Sequence, residues 1–316
     1  MRRPGRRTAV AGGGHPRRAG DADPLTGGAG YVGSALLPVL REEGHAVTLL
    51  DDFSLSSPRN LVDAPAVEFV RGDVRDEQPI REAMEGVDAV IHLAAVTGAA
   101  KTHDIPERTF DSNLGGTETV LAAAEDGGVE RVVLASSCNV YGETYETDLT
   151  ESSPTDPGNP YAESKLAAEE ACFDAGVETV ALRLATNYGW SPGVRFNLVV
   201  NAFVFRAVMD EPLTVYGDGS NWRPFLHVQD AARAFSAALD WPAGVYNVGE
   251  GNYRIEEVAA TVADVVGKPV ETDYLEDEDP GPSYSVTFDR VANRDFVPEY
   301  GLRDGIRDLR SRFESR

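Results

Sequence analysis

Eight residues constrain this chain more than any others: Thr26-Gly-Gly-Ala-Gly-Tyr-Val-Gly33. The spacing Gly28-x-Gly30-x-x-Gly33 belongs to a turn that leads from a strand into a helix and lets the backbone approach a pyrophosphate. Gly27 and Gly30 permit that approach, and Gly33 permits close packing of the helix on the strand. The partial positive charge of the helix N-terminus adds to it. Gly27, Gly30, Tyr31 and Val32 are the contacts expected from this turn. Alone it is weak evidence, because the chain holds 31 glycines. Its weight comes from an acid further along the chain. Eighteen residues after Gly33, the apolar run Ala46–Leu50 ends in Asp51-Asp52. A carboxylate there accepts the adenosine ribose hydroxyls and repels a 2′-phosphate, which favours NAD over NADP.

From Gly33 onward, strand and helix signals alternate. Val32, Leu36 and Leu40 recur at helical spacing before Gly44. Short β-rich runs occupy 46–50 and 67–70, the latter ending in Gly72-Asp73-Val74. A helix is expected through Arg81–Glu85, a buried strand at Asp88–Leu93, and a helix over Asn113–Asp126 closed by Gly127-Gly128. Arg131–Ala135 and Val177–Leu184 read as strands flanking a helix over Tyr161–Ala175. Such alternation predicts right-handed βαβ units and an α/β fold: a doubly wound, Rossmann-like parallel sheet. From about Trp190 the alternation loosens into short elements with Gly and Pro turns. We expect residues 25–189 to form the NAD-binding domain. Residues 190–316 would be a smaller α/β substrate lobe with segments returning to the first domain. Leu275–Gly281 is acidic, contains proline and reads as a mobile loop.

The region before the turn does not fit. Residues 1–24 carry six arginines and two aspartates and show no periodicity. A buried apolar strand should precede the turn, but Asp21-Ala-Asp-Pro-Leu25 is a poor central strand. Two readings are open: a disordered basic tail, or a foreign segment from a wrong start or frame, with the first strand missing and cofactor binding lost.

Tyr161 and Lys165 are four residues apart and share a helix face, with Pro160 suiting the helix start. A phenol ionises near 10, and a nearby ammonium favours its phenolate, giving a general base for a hydroxyl proton. Tyr-x-x-x-Lys is commonplace on helices. Ser136-Ser137 changes its weight: these hydroxyls follow a strand, at the end where a doubly wound sheet binds ligands.

As an ordered set, Thr26–Gly33, Asp51, Asp73-Val74, His92-Leu-Ala-Ala95, Asn113, Ser137 with Val140-Tyr-Gly142, and Tyr161/Lys165 resemble the extended short-chain dehydrogenase/reductase family. More narrowly, they resemble its NAD-dependent nucleotide-sugar epimerases and dehydratases, over about residues 25–316. The resemblance implies Tyr161 as base, Lys165 as holder of the nicotinamide ribose and tuner of the tyrosine, and Ser137 as partner of the sugar hydroxyl. It places Asp73 and Val74 beside the adenine. Leu93, Ala94 and Ala95 would line the cofactor, with Asn113 nearby. It implies a transient 4-keto-sugar and NADH, from which hydride return to the other face gives the epimer. Dehydratases carry Asp-Glu after the catalytic hydroxyl. This chain has Cys138-Asn139, which argues for an epimerase. Thr186 and Asn187 in Arg183–Gly189, Asn197 in Arg195–Asn201, and Arg223 in Tyr216–Asp230 fall in segments resembling the family's substrate-binding ones. Arg223 suits a diphosphate clamp. Pro282 stands where relatives usually carry an arginine, so Arg254 or Arg290 would have to replace that contact. A reductase, a decarboxylase or a dehydratase is the alternative within the family. Outside enzymes the alternative is an NAD-sensing regulator, although such proteins typically lose the Tyr or Lys kept here.

Composition limits the partners. With 52 acidic and 29 basic residues the net charge is −23, and only Lys101, Lys165 and Lys268 are lysines. That balance argues against nucleic acid and suggests a protein kept dispersed at high salt. No apolar run is long enough to span a membrane, and no secretory h-region follows the basic N-terminus. Five scattered histidines, His92 and His103 among them, show no metal spacing. Cys138 and Cys172 form no redox motif, consistent with a reduced, cytoplasmic protein. A nucleotide-diphosphate sugar is the expected small-molecule partner. Family resemblance implies a homodimer through about Phe110–Ala124 and Tyr161–Ala175.

Overall fold

A computed structural model describes residues 22–64, 66–142, 144, 147–278 and 281–314. Its first half runs β1 (Ala22–Thr26), α1 (Tyr31–Glu42), β2 (Ala46–Asp51), β3 (Glu68–Arg71), α2 (Glu77–Ala83) and β4 (Ala89–His92). Then come α3 (Ala99–Thr102), α4 (Pro106–Phe110), α5 (Gly116–Gly127), β5 (Arg131–Ser137), α6 (Pro160–Asp174), β6 (Glu178–Leu184) and β7 (Thr186–Tyr188). The remainder is α7 (Val199–Val208), β8 (Leu213–Tyr216), β9 (Trp222–His227), α8 (Val228–Ala238), β10 (Gly244–Val248) and β11 (Gly251–Arg254). It ends with α9 (Ile255–Val266), β12 (Thr272–Leu275), α10 (Asp289–Ala292) and α11 (Leu302–Glu314).

Seven strands form one parallel sheet in the order β10-β6-β5-β4-β1-β2-β3. The chain moves outward from β1 through β2 and β3, then returns to place β4 on the other side of β1. That reversal opens a crevice at the carboxyl ends of β1 and β4, where open α/β sheets take their ligands. Alternate strand residues serve opposite faces. Leu25, Leu49, Ile91, Val133 and Leu182 pack with α1 and α8; Leu50, Val90, Val132 and Leu134 pack with α2, α5 and Cys172 of α6. A third core joins α7, α9 and α11 to β7, β8 and β9 through Phe203, Phe225, Val262 and Ile306.

The expectation of a missing first strand is corrected. Ala22–Thr26 pairs with β2 along its whole length, from Ala22↔Ala46 to Thr26↔Leu50. Pro24 lacks an N–H, but pairing to β4 begins only at Leu25↔Ile91. The proline therefore sits before the stretch where two neighbours demand donors, and its buried ring adds to the core. The readings of residues 1–21 lie outside the described residues. The expected helix over Asn113–Asp126 begins at Gly116, preceded by a π-helical turn over Asp111–Gly115 that holds Asn113. The loop reading of Leu275–Gly281 is tested only in part. Leu275 ends β12 and a turn follows, while residues 279–280 lie outside the described residues.

Candidate active site

The glycine turn is as tight as its sequence requires. Gly27 has φ +70°, and a Cβ there would lie 2.7 Å from the Ala94 backbone nitrogen. At Gly33 a Cβ would lie 2.5 Å from Gly28 Cα, so this close approach of helix to turn excludes any side chain. Gly30 precedes α1, whose first turn carries no acidic residue. The opening amides of that helix, those of Tyr31 and Val32 among them, are the donors an anion needs. Asp51, buried at the end of β2, accepts from Ala29 N at 3.0 Å, which joins the acid to the turn. Its other oxygen accepts from Phe53 N and Ser56 Oγ. Asp52 instead accepts from Ser54 N and faces the loop. A cradle that a Cβ would fill, bordered by a fixed carboxylate, fits the diphosphate and ribose of NAD.

The Tyr31 side chain does not face that cradle. Its hydroxyl donates to Gly189 O at 2.7 Å and accepts from Asn201 Nδ2 at 3.3 Å. Only its main chain remains for a cofactor. Asp73 is held in a two-pronged pair with Arg75, at 3.0 and 2.6 Å, which lowers its carboxyl below the usual range. Val74 is buried against Gly116. Leu93, Ala94 and Ala95 extend from β4 beside the turn, half-buried. Asn113 is a brace: Oδ1 accepts from Val96 N at 2.7 Å, and its amide hydrogens go to Val96 O and Ser164 Oγ.

His92 occupies the crevice as a neutral core residue. Thr117 Oγ1 donates to Asn113 O, so it accepts from His92 Nε2; Nδ1 therefore accepts from Thr26 Oγ1 at 2.7 Å. Burial, then the charge of Lys165, lowers its pKa from 6.5 to about 3. Among the described residues no His, Cys, Asp or Glu cluster could hold a metal ion.

α6 starts with Asn159, whose side chain accepts from Ala162 N at 3.0 Å, and with Pro160. This start sets Tyr161 at the carboxyl end of β5, with its hydroxyl facing Ser137. Burial raises the phenol pKa; Ser137 and then the charge of Arg195 oppose it. Lys165, one helical turn after Tyr161 on α6, donates its ammonium to Ala135 O at 2.8 Å, and burial lowers its pKa to about 8. Arg195 is the residue that the sequence does not single out by role. Its only signal is its place in the substrate-like segment.

Ser137 also accepts from Asn139 N at 3.2 Å. Behind it, Ser136 Oγ donates to buried Glu169, which pairs with Arg183 at 2.6 Å. Cys138 points away, against Arg183 O, and burial raises its thiol pKa, so it is a packing residue. Asn139 meets Tyr284, and the guanidinium of Arg223 lies 5.7 Å over that tyrosine ring. Thr186 and Asn187 are half-buried on β7, and Asn187 Oδ1 is a buried acceptor without a partner among the described residues. Asn197 is exposed and accepts from Arg195 Nε at 3.3 Å. Neither proposed replacement for the missing arginine stands at the site in the same way. Arg290 stacks on Tyr246 beside Gly244, at the opposite end of the sheet from the crevice. Arg254 pairs with Glu256 and covers Trp222.

A doubly wound sheet with a dinucleotide turn at its switch point and a Tyr–Ser–Lys group beside it defines a nucleotide-dependent oxidoreductase fold. The model of the NAD dependent epimerase/dehydratase family matches residues 25–249, and the chain belongs to that family. It is an NAD-dependent enzyme of that class. It is 34% identical over 269 residues to a UDP-glucose 4-epimerase of Streptomyces lividans, covering 78% of this chain and 81% of the relative. A Thermus thermophilus UDP-glucose 4-epimerase solved with NAD superposes with TM-score 0.83 at 29% identity, covering 93% and 99% of the two chains. DesIV, a dTDP-glucose 4,6-dehydratase of Streptomyces venezuelae solved with NAD, superposes with TM-score 0.84 at 29% identity, over 93% and 98%. The fold therefore does not separate the two reactions; the side chains at the site must. No helix among the described residues is long and apolar enough to cross a membrane.

Proposed function

We propose that this enzyme interconverts two nucleotide-diphosphate sugars that differ at C4, in the manner of UDP-glucose 4-epimerases. The observation that carries this reading is the Tyr161–Ser137 pair beside the glycine turn, with Asn139 where elimination of water would need a carboxylate. NAD, when bound, supplies a reversible hydride acceptor for C4. Ser137 orients the sugar hydroxyl, and Tyr161 removes its proton as C4 is oxidised. Once the ring has turned, Tyr161 returns the proton to the oxygen of the epimer. Cys138 and Asn139 offer no acid–base pair to expel water at C5–C6, so the keto-sugar is left to be reduced again.

In this reading Asp51 takes the adenosine ribose, with Asp52 beside it. The amides of Tyr31 and Val32 take the pyrophosphate, and Gly27 and Gly30, whose own amides donate to Leu50 O and Gly27 O, let it lie against their backbone. Asp73 and Val74 flank the adenine, Leu93, Ala94 and Ala95 line the pocket that Asn113 braces, and Lys165 holds the nicotinamide ribose. Thr186, Asn187, Asn197 and Arg223 receive the nucleotide diphosphate. The unpartnered Asn187 Oδ1 supports this, since a buried acceptor costs free energy until a donor arrives. Residues 25–189 would act as the cofactor domain and 190–316 mainly as the substrate lobe. We also assign a homodimer formed through α5 and α6, where Phe173 is exposed, and a cytoplasmic, salt-adapted enzyme, in keeping with the charge of −23. Light scattering tests the dimer, and activity against added KCl tests the salt adaptation.

A panel of UDP- and TDP-sugars with product analysis tests the reaction. An epimer from at least one sugar is expected, and none from Tyr161→Phe that still binds NAD. A 4-keto-6-deoxy product would overturn the epimerase reading, and turnover by Tyr161→Phe would overturn the role of the base.

A further inference from the structure

Residues 189–195, between β7 and α7, form a strap whose two ends meet at one side chain. Asn201 of α7 is fully buried. Its Oδ1 accepts from Gly189 N at 2.9 Å, and its Nδ2 donates to Arg195 O at 3.1 Å. A compact loop closed at its base in this way holds its shape as a unit. Within it Ser191-Pro-Gly-Val194 makes a turn. Val194 N donates to Ser191 O at 3.0 Å, and Pro192 takes the second position, where proline's fixed φ suits a turn.

The middle of the strap lies on the cofactor turn. Gly193 has no room for a side chain: a Cβ there would stand 2.8 Å from Gly30 O and 3.0 Å from Tyr31 Cα. Gly193 N donates to Ser34 Oγ at 3.1 Å, Ser191 Oγ donates to Tyr31 O at 2.8 Å, and the hydroxyls of Ser34 and Ser191 are 3.4 Å apart. Two residues further on, Arg195 Nη1 donates to Thr97 Oγ1 at 2.7 Å, in the loop after β4. The strap therefore runs from the turn after β1 to the loop after β4. A dinucleotide reaching from Asp51 to Tyr161 must occupy that stretch of the crevice. Pro192, on the outer side of the strap, is exposed, while Ser191 is buried against the turn.

We propose that this strap is the gate of the cofactor site: NAD enters and leaves when the latch of Ser34, Ser191 and Gly193 opens, and sugar turnover proceeds with the latch shut. The proposal rests on the reading of the glycine turn as the pyrophosphate cradle. The latch is made of neutral hydroxyl and amide groups, whose bonds open more readily than charge-assisted ones. Opening breaks it together with the bond from Arg195 to Thr97 and leaves the Asn201 staple in place, so the strap swings about its base without unfolding. Epimerisation returns the hydride it removes, so the catalytic cycle needs no exchange of cofactor and a shut strap does not halt it. Lid motions of this kind commonly set the rate at which a bound molecule is released.

The test uses the full chain loaded with NAD and follows exchange of the bound cofactor for excess isotopically labelled NAD by mass spectrometry. Ser34→Ala removes the acceptor of Gly193 N and the partner of Ser191. It should speed exchange about fivefold to tenfold, the effect of one or two hydrogen bonds. Association and dissociation should quicken together, so that Kd changes little, and kcat per bound NAD should match the parent. If Ser34→Ala does not fold, Ser191→Ala and Thr97→Val each remove one anchor and should shift exchange in the same direction. The double variant Ser34→Cys with Ser191→Cys, once oxidised to the cross-linked form, should stop exchange while the resident NAD still supports turnover, and reduction should restore exchange. Unchanged exchange in the folded single variants overturns the proposal. So does faster release without faster uptake, which marks a strap that binds NAD without gating it, and so does turnover lost on cross-linking. A parent protein that takes up no NAD would instead overturn the reading of the cradle, which separates the two failures.

Discussion

Tyr284 donates its hydroxyl proton to Oδ1 of Asn139 at 2.8 Å. One residue comes from the turn after β5 and the other from the segment before α10, so the bond ties these two segments together next to Ser137 through a side chain that cannot act as an acid. Removing Asn139 would leave a buried phenol without its acceptor. We expect Asn139→Ala to cost about 1–3 kcal/mol of stability, the usual penalty for an orphaned buried polar group. Urea unfolding measures it. A variant as stable as the parent would show that the bond has no part in holding the segment.

The glycine turn makes a contrast within one chain. Gly27→Ala places a methyl 2.7 Å from the Ala94 nitrogen at φ +70°, whereas Gly44, at φ +92°, has nothing within 4 Å of its Cβ position. Both substitutions carry a left-handed strain of roughly 1–2 kcal/mol. Only the first distorts the cofactor cradle. Titration with NAD should show binding weakened at least about tenfold for Gly27→Ala, equivalent to about 1.4 kcal/mol. Gly44→Ala should bind NAD normally and melt slightly earlier.

Behind Ser137, Glu169 and Arg183 form a buried ion pair that also anchors Ser136 and Tyr141. Glu169→Gln leaves the guanidinium uncompensated and should destabilise the fold by about 3–5 kcal/mol. Glu169→Leu combined with Arg183→Met should regain much of that loss, because neither charge is then buried alone. Denaturant midpoints of the single and double variants check the non-additivity.

His92 sets an acid limit on stability. Its folded pKa is about 3 against 6.5 when exposed, so between those values the unfolded chain binds a proton that the folded chain does not. Its contribution is fully present above pH 6.5 and declines as pH falls toward 3, by at most about 1.4 kcal/mol per unit. His92→Gln should be less stable at neutral pH, having lost the bonds to Thr26 and Thr117, yet should lose less on acidification. Urea midpoints across a series of pH values from neutral to mildly acidic test this; parallel curves for the two proteins would contradict it.

Much of this arrangement is legible in the sequence, for physical reasons. Gly33 can be read because only glycine tolerates a Cβ position 2.5 Å from Gly28 Cα. Tyr161 and Lys165 can be read because helix geometry fixes their common face. Leu49 and Ile91 signal a sheet covered on both sides, through runs that are apolar at most residues. Pro24 misleads, since composition cannot reveal that pairing to β4 starts one residue later. Arg195 is hidden for a similar reason. Its bond to Thr97 joins segments far apart in the chain, and no local spacing records it. Tyr31 lies in the most legible motif, yet its side chain serves Gly189 and Asn201, a contact that only the tertiary fold supplies.

The central claim is reversible oxidation at C4 of a nucleotide sugar, with Tyr161 as the base. The most direct measurement supplies NAD-loaded enzyme with UDP-glucose and UDP-N-acetylglucosamine deuterated at C4 and follows the products by NMR. The account predicts the C4 epimer of at least one of them with the deuterium retained, and no epimer from Tyr161→Phe. No epimer from either sugar, or an epimer whose label has been lost to water, would contradict it.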